Sequence, residues 1–161
     1  MKYTTTFASP IGEITLASDG ENLTGLWIAG QKYFGAKLPA NTVTKNDLEI
    51  FMRTRDWLDR YFAGAQPVIS EIKLAPTGTP FQQRVWCALC DIPHGQTISY
   101  SKLGVAVGCK SARAIGGSVG KNPISIIIPC HRVVGASGAL TGYAGGLDVK
   151  IKLLKLENLG L

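Results

Sequence analysis

The chain has 161 residues, 45% of them hydrophobic and 17% charged, which supplies a packed core and excludes a disordered or low-complexity protein. No apolar run approaches the roughly 20 residues that span a bilayer, so no membrane role is expected. The formal net charge of +6 arises wholly in residues 76–161, which carry nine Lys or Arg against three Asp or Glu, while residues 1–75 carry eight against eight; such a basic half suits a polyanion partner, or simply keeps a surface soluble.

Residues 3–8, 12–18 and 23–28 are rich in Thr, Ile and Leu, with Ser9-Pro10 and Asp19-Gly20 between them. This pattern predicts antiparallel hairpins. Apolar residues at 48, 51, 52, 57, 58, 61 and 62 predict a helix over 47–62, ended by Ala63-Gly64. The stretch 75–80 holds two prolines, a glycine and two threonines, which resist both helix and strand. A boundary placed there divides the chain into 1–75 and 76–161. The second part opens with a helix over 80–90, proline at its start. Helices over 99–107 and 110–120, split by a turn at Gly108, read as a helix-turn-helix. Residues 124–128 form a strand-like apolar run, 135–146 a glycine-rich loop, and 149–159 a closing helix. The N-terminus turns polar at once and lacks a signal-peptide core. Cysteines at 87, 90, 109 and 130 give no disulfide framework, which suits reduced thiols in cytoplasm.

The chemistry concentrates in Pro129-Cys130-His131-Arg132-Val133. The thiolate is the nucleophile, and a free thiol with a pKa near ~8.5 needs a base beside it at neutral pH. Neighbours in a regular strand point to opposite faces. His131 therefore serves Cys130 only if Pro129 turns the chain or a water bridges the two. The alternative is a packing cysteine beside a histidine that caps a carbonyl. In 110–120, glycines at 116 and 117 cost roughly 1 kcal/mol each relative to alanine, which suggests close approach by a ligand or by another backbone. Arg113 is the long polar side chain near its middle, placed to fill a displaced base's space or merely to face solvent. Asn122 either turns the chain or ties two loop ends together. Glu157 either orients His131 or is a solvated charge near Lys150 and Lys155. Cys87-Ala88-Leu89-Cys90 lacks the second pair a structural zinc needs, so no metal is expected.

Together these segments resemble the 6-O-alkylguanine-DNA alkyltransferases. Pro129 to Val133 matches the family's active-site signature, Asn122-Pro123 precedes it at the family's spacing, and Ala112 to Gly117 matches the recognition helix with its arginine finger. Gly142-Tyr143-Ala144-Gly145-Gly146-Leu147 matches the substrate loop, and Glu157 falls at the family's glutamate. Residues 1–75 match more loosely, through 58–64 and Ser9 to Gly12.

The resemblance implies an α+β fold: a ribonuclease-H-like α/β domain as support, then a mostly helical winged helix-turn-helix that enters the DNA minor groove. It implies irreversible transfer of an alkyl group from guanine to Cys130, without cofactor or metal. The lesion lies inside the stack, so the nucleotide must be flipped out. In that reading Arg113 fills the gap and Tyr100 turns the phosphate and aids the leaving guanine. Tyr143, Ala144 and Gly145 cover the base, while Ser125, Arg132 and Val133 complete the DNA and substrate contacts. Glu157, His131 and a water generate the thiolate, and Asn122 holds the loop. The expected partner is double-stranded DNA carrying alkylated guanine, met by a monomer or by copies binding cooperatively. Ser125 stands where many relatives carry proline, and the turn at 108–110 is about one residue shorter than in some. A cysteine hydrolase would instead turn over, and a regulator without chemistry would bind DNA with Cys130 replaced.

Overall fold

The structure, a computed structural model, describes residues 1–36, 38–140 and 142–159, with Leu159 described by its backbone alone. The loop predicted over 135–146 therefore contains one residue, Thr141, outside the described ones. Strands β1 (Tyr3–Ser9), β2 (Gly12–Ser18) and β3 (Leu23–Ile28) form an antiparallel meander, β1 and β2 in register from Tyr3 opposite Ser18 to Ser9 opposite Gly12. Alternation turns Ile14 and Leu16 into the interior. A short strand, β4 (Val43–Thr44), joins parallel to β1, giving the order β3-β2-β1-β4. Two residues were too little pattern to predict it.

Helix α1 (Glu49–Phe62) buries Ile50, Phe51, Thr54, Trp57, Leu58 and Tyr61, the stripe that the spacing predicts. It starts two residues later than expected because Leu48 is still extended. The outer edge of β3 is covered by the second half of the chain. Leu26 donates to the Pro123 carbonyl at 2.8 Å and accepts from Ser125 N at 3.0 Å. Buried apolar side chains from both halves form one core, including Leu26, Trp57, Trp86, Ile124 and Leu153.

Helix α2 (Pro80–Leu89) starts on a Thr79–Gln82 capping box, with Pro80 in its first turn, and its Trp86 Nε1 donates to the Ser118 carbonyl at 2.8 Å. Helices α3 (Tyr100–Val107) and α4 (Ala112–Gly120) are capped by Ser99 and Ser111, which explains why each begins just inside its predicted start. Gly108, at φ 73°, ends α3 in the left-handed region. A Cβ at Gly104 would lie 2.6 Å from the Cys109 carbonyl oxygen, so the turn between α3 and α4 folds tightly onto the helix. Two-residue strands β5 (Ile98–Ser99) and β6 (Val133–Val134), parallel to one another, sit beside these helices. Helix α5 (Leu147–Leu159) closes the chain, starting two residues before the predicted 149. No helix among the described residues is long and apolar enough to cross a membrane.

The strand expected over 124–128 is not one. Only Ile124 makes a bridge, to Leu26. Beyond it Ile127 N bonds back to the Ser125 carbonyl, and Ile126 takes φ 73°, a left-handed conformation that a β-branched residue rarely adopts. The run is a buried loop, and its backbone groups are satisfied locally rather than by a ladder.

Candidate active site

Asn122 holds that loop. Its Nδ2 donates to the carbonyls of Ile128 at 2.8 Å and Ile124 at 3.3 Å, and its Oδ1 accepts from Ile124 N at 3.0 Å. The tie between loop ends raised by the sequence is thus what the side chain makes. The chain then turns at Pro129 and enters a single 3-10 turn, Cys130–Arg132, with all three residues buried. Cys130 and His131 are therefore not neighbours in a regular strand, whose alternation would have set them on opposite faces.

Four donors surround the buried Glu157 on α5. His131 Nε2 lies 2.5 Å and Tyr61 Oη 2.6 Å from Oε2. Arg132 Nε lies 2.7 Å and Gly95 N 3.3 Å from Oε1. Burial alone would raise the carboxyl pKa, but His131 and Arg132 reverse that and hold it far below the usual range. Glu157 is therefore ionised at neutral pH, so the facing Nε2 of His131 carries a proton. Burial holds His131 below its ordinary pKa against the pull of Glu157, which leaves the ring neutral. A neutral ring protonated on Nε2 has a bare Nδ1, and His131 Nδ1 is buried without a partner among the described residues. The ring is thus a base with its lone pair available.

Burial pushes the Cys130 thiol up to about 11, opposed by Asn122, by the positive charge of Lys150, by its own backbone and by Tyr143. The resting thiol is protonated, and the thiolate must be made by a base. Cys130 lines a cleft of about 340 Å³ together with Tyr100, Gly116, Gly117, Tyr143 and Ala144. A Cβ at Gly116 or Gly117 would meet nothing within 4 Å, so these glycines serve neither of the packed contacts that a helix pair would need. They widen the cleft beside the thiol.

The other predicted residues fall at different depths. Arg113 is exposed at the start of α4. A Cβ built at Gly145 would stand 2.7 Å from the Tyr143 ring. Val133 lies in β6 and is fully buried, and its carbonyl accepts from Lys150 Nζ at 2.6 Å. Ser125 is buried, its Oγ 3.1 Å from Gln31 Oε1, and does not line the cleft. Arg132 was grouped with the DNA contacts, but the structure places it inside, on Glu157 and on the Ile92 carbonyl at 2.6 Å. Glu157 is correspondingly no solvated charge near Lys155.

Three features went unread in the sequence. Lys150 is fully buried and its ammonium also reaches the Gly142 carbonyl at 3.2 Å. Its spacing to Leu153 and Glu157, i, i+3 and i+7 on one helix face, was the available signal. Tyr61 looked like one more core position of α1. The third is the segment after β3: Lys32 N donates to the Ala144 carbonyl at 2.9 Å, and Lys32 and Tyr33 line the cleft. Among the described residues, no three or more His, Cys, Asp or Glu converge as metal ligands. Cys87 and Cys90 are free thiols, Cys90 pushed up to about 11 by burial.

The chain matches known proteins along nearly its whole length. The family described as 6-O-methylguanine DNA methyltransferase, ribonuclease-like domain, matches residues 1–76, and its DNA binding domain matches residues 80–159. The methylated-DNA–protein-cysteine methyltransferase of Methanosarcina acetivorans is 46% identical over 96% of this chain and 97% of its own. That of Mycobacterium bovis is 47% identical over 94% of this chain and 90% of its own. The crystal structure of Mycobacterium tuberculosis OGT in complex with DNA superposes with a TM-score of 0.88 at 43% identity, covering 98% of this chain and 93% of that one.

Proposed function

This chain belongs to the 6-O-methylguanine DNA methyltransferase family, and from that premise we propose how its residues carry out the repair of alkylated DNA. It is a methylated-DNA–protein-cysteine methyltransferase that moves the alkyl group of 6-O-alkylguanine onto its own cysteine. The observations that support the assignment to Cys130 are that its thiol lines the cleft and that the next residue in the chain is a neutral, Glu157-oriented His131.

The nucleotide is flipped into the cleft, with α3 and α4 against the minor groove and Arg113 in the vacated stack. Unstacking costs a few kcal/mol, which the protein's contacts offset. The glycines of α4 let the base approach the thiol, and Tyr143, Ala144 and Gly145 cover it. His131 Nδ1 takes the Cys130 proton, directly or through one water, and Glu157 stabilises the imidazolium that forms. The thiolate attacks the alkyl carbon in line. The S–C bond forms as the C–O bond breaks, and the electron pair goes to the guanine oxygen. A proton returns to the guanine ring, with Tyr100 assisting at the cleft wall. The net change is thiol plus alkylguanine to thioether plus guanine, with no cofactor in the balance. A thioether is not readily hydrolysed, so each molecule acts once. Exposed Lys102, Lys110 and Lys121 supply phosphate contacts. The protein works in the cytoplasm, as a monomer or as copies arrayed along DNA.

Peptide mass analysis after incubation with a methylated duplex tests the assignment. One methyl group is expected on the Cys130 peptide. Modification at Cys87, Cys90 or Cys109 instead would overturn it.

A further inference from the structure

The relay that serves Cys130 is not contained in the DNA-binding half of the chain. Tyr61 lies on α1, in the ribonuclease-like half, 96 positions before Glu157, and its hydroxyl donates to Glu157 Oε2 at 2.6 Å. That oxygen is the one that faces His131 Nε2. We infer that Tyr61 is a positioning residue for alkyl transfer, fixing the carboxylate that orients the His131 base.

The carboxylate has two oxygens, and each takes two donors: Tyr61 and His131 on Oε2, Arg132 and Gly95 N on Oε1. Four donors fix its plane as well as its charge. Removing the phenol leaves Oε2 held by His131 alone, and the imidazole then has no fixed partner to orient against. A tyrosine that only filled the core would have no need of this partner, since its ring packing is that of a phenylalanine. The ring itself is locked. It stacks on Trp57 with centroids 5.5 Å apart and planes 11° off parallel, and Phe62 and His94 meet it edge-on at 5.3 and 6.1 Å. Trp57 is fixed in turn by its Nε1, which donates to the Val68 carbonyl at 2.9 Å. The hydroxyl is therefore aimed rather than mobile. Burial and the Glu157 charge both push the phenol far above its ordinary pKa, so it stays a donor at any pH at which the protein works. The half of the fold that the sequence reads as support thus contributes a side chain to the reaction machinery.

The inference rests on the relay proposed above, and a double-mutant cycle separates the two. Single-turnover methyl transfer and the Kd for methylated duplex are measured for the parent chain, Tyr61→Phe, Glu157→Gln and the double variant. Tyr61→Phe is expected to slow transfer about tenfold, the weight of one hydrogen bond to a charged group, at unchanged Kd. On the Glu157→Gln background the same change should cost less than about twofold, because the oxygen it acts through is no longer a carboxylate. His131→Gln serves as a second background with the same expectation if Glu157→Gln does not fold. An unslowed Tyr61→Phe, or an equal tenfold loss in every background, would overturn the role. If Glu157→Gln folds and reacts as fast as the parent, the relay itself is wrong.

Discussion

His131 Nε2 and Glu157 Oε2 lie 2.5 Å apart in the interior, with both side chains fully shielded from solvent. The contact fixes the tautomer: an ionised carboxylate on Nε2 leaves Nδ1 as the base. Glu157→Gln removes the charge that stabilises the imidazolium. The rate of Cys130 alkylation at neutral pH should fall about 100-fold, a typical share for a general base, and its pH profile should shift to the alkaline side. Single-turnover rates between pH 6 and 10 check this. An unchanged profile excludes the relay.

The same pair makes the fold sensitive to acid. Glu157 is held below its unfolded pKa, so its contribution is present above about pH 4.5 and lost as pH falls through its folded value. His131 is also held below its unfolded pKa of about 6.5, and the unfolded chain binds that proton first as pH falls. Both shifts lower stability on acidification and neither does so on going alkaline. The thermal midpoint should fall from pH 7 to pH 3, and Glu157→Gln should flatten the part of that slope below about pH 4.5. A midpoint independent of pH over this range would contradict the buried geometry.

Arg113 stands exposed on α4, outside the cleft that Cys130 lines. Its proposed work is to hold the stack open, so its loss should matter only where there is a stack. Arg113→Ala should slow repair of a methylated duplex at least about tenfold, a few kcal/mol of unstacking being at stake, and leave reaction with free alkylguanine base within about twofold. Equal losses on both substrates would remove the flipping role.

Seven of the nine positive charges of residues 76–161 lie at the surface; Arg132 and Lys150 are buried. Binding to unmodified duplex should weaken steeply with salt, by a slope of about −0.9 per phosphate neutralised. Lys102→Ala and Lys121→Ala should each lower that slope by about one. Replacing Arg132 should not lower it, since its guanidinium is engaged by Glu157 and Ile92.

The elements were legible where periodicity was long. The strands 12–18 and 23–28 and the apolar stripe of α1 came directly from it. The starts of α3 and α4 were misplaced by one or two residues because capping serines look like helix until their extended backbone is seen. The run 124–128 misled because four isoleucines around one serine satisfy strand and buried loop alike, and only the Asn122 bonds distinguish them. Cys130 and His131 stood together in a readable motif, whereas Glu157 came from the resemblance and not from local pattern. Lys150 and Tyr61 were missed, since a lysine is ordinarily solvated and a tyrosine on an apolar stripe ordinarily packs. The Tyr61 partner lies 96 positions away, which local pattern does not encode, and for Lys150 the spacing along α5 was the one local signal.

The central claim is single use of one cysteine. Duplex DNA carrying methyl-labelled 6-O-methylguanine, in excess over protein, with Cys130→Ala alongside, measures it directly. The account predicts about one methyl per protein, on Cys130, and none in the variant, as a stable thioether requires. Label that accumulates beyond one equivalent, or transfer that persists in the variant, would contradict it.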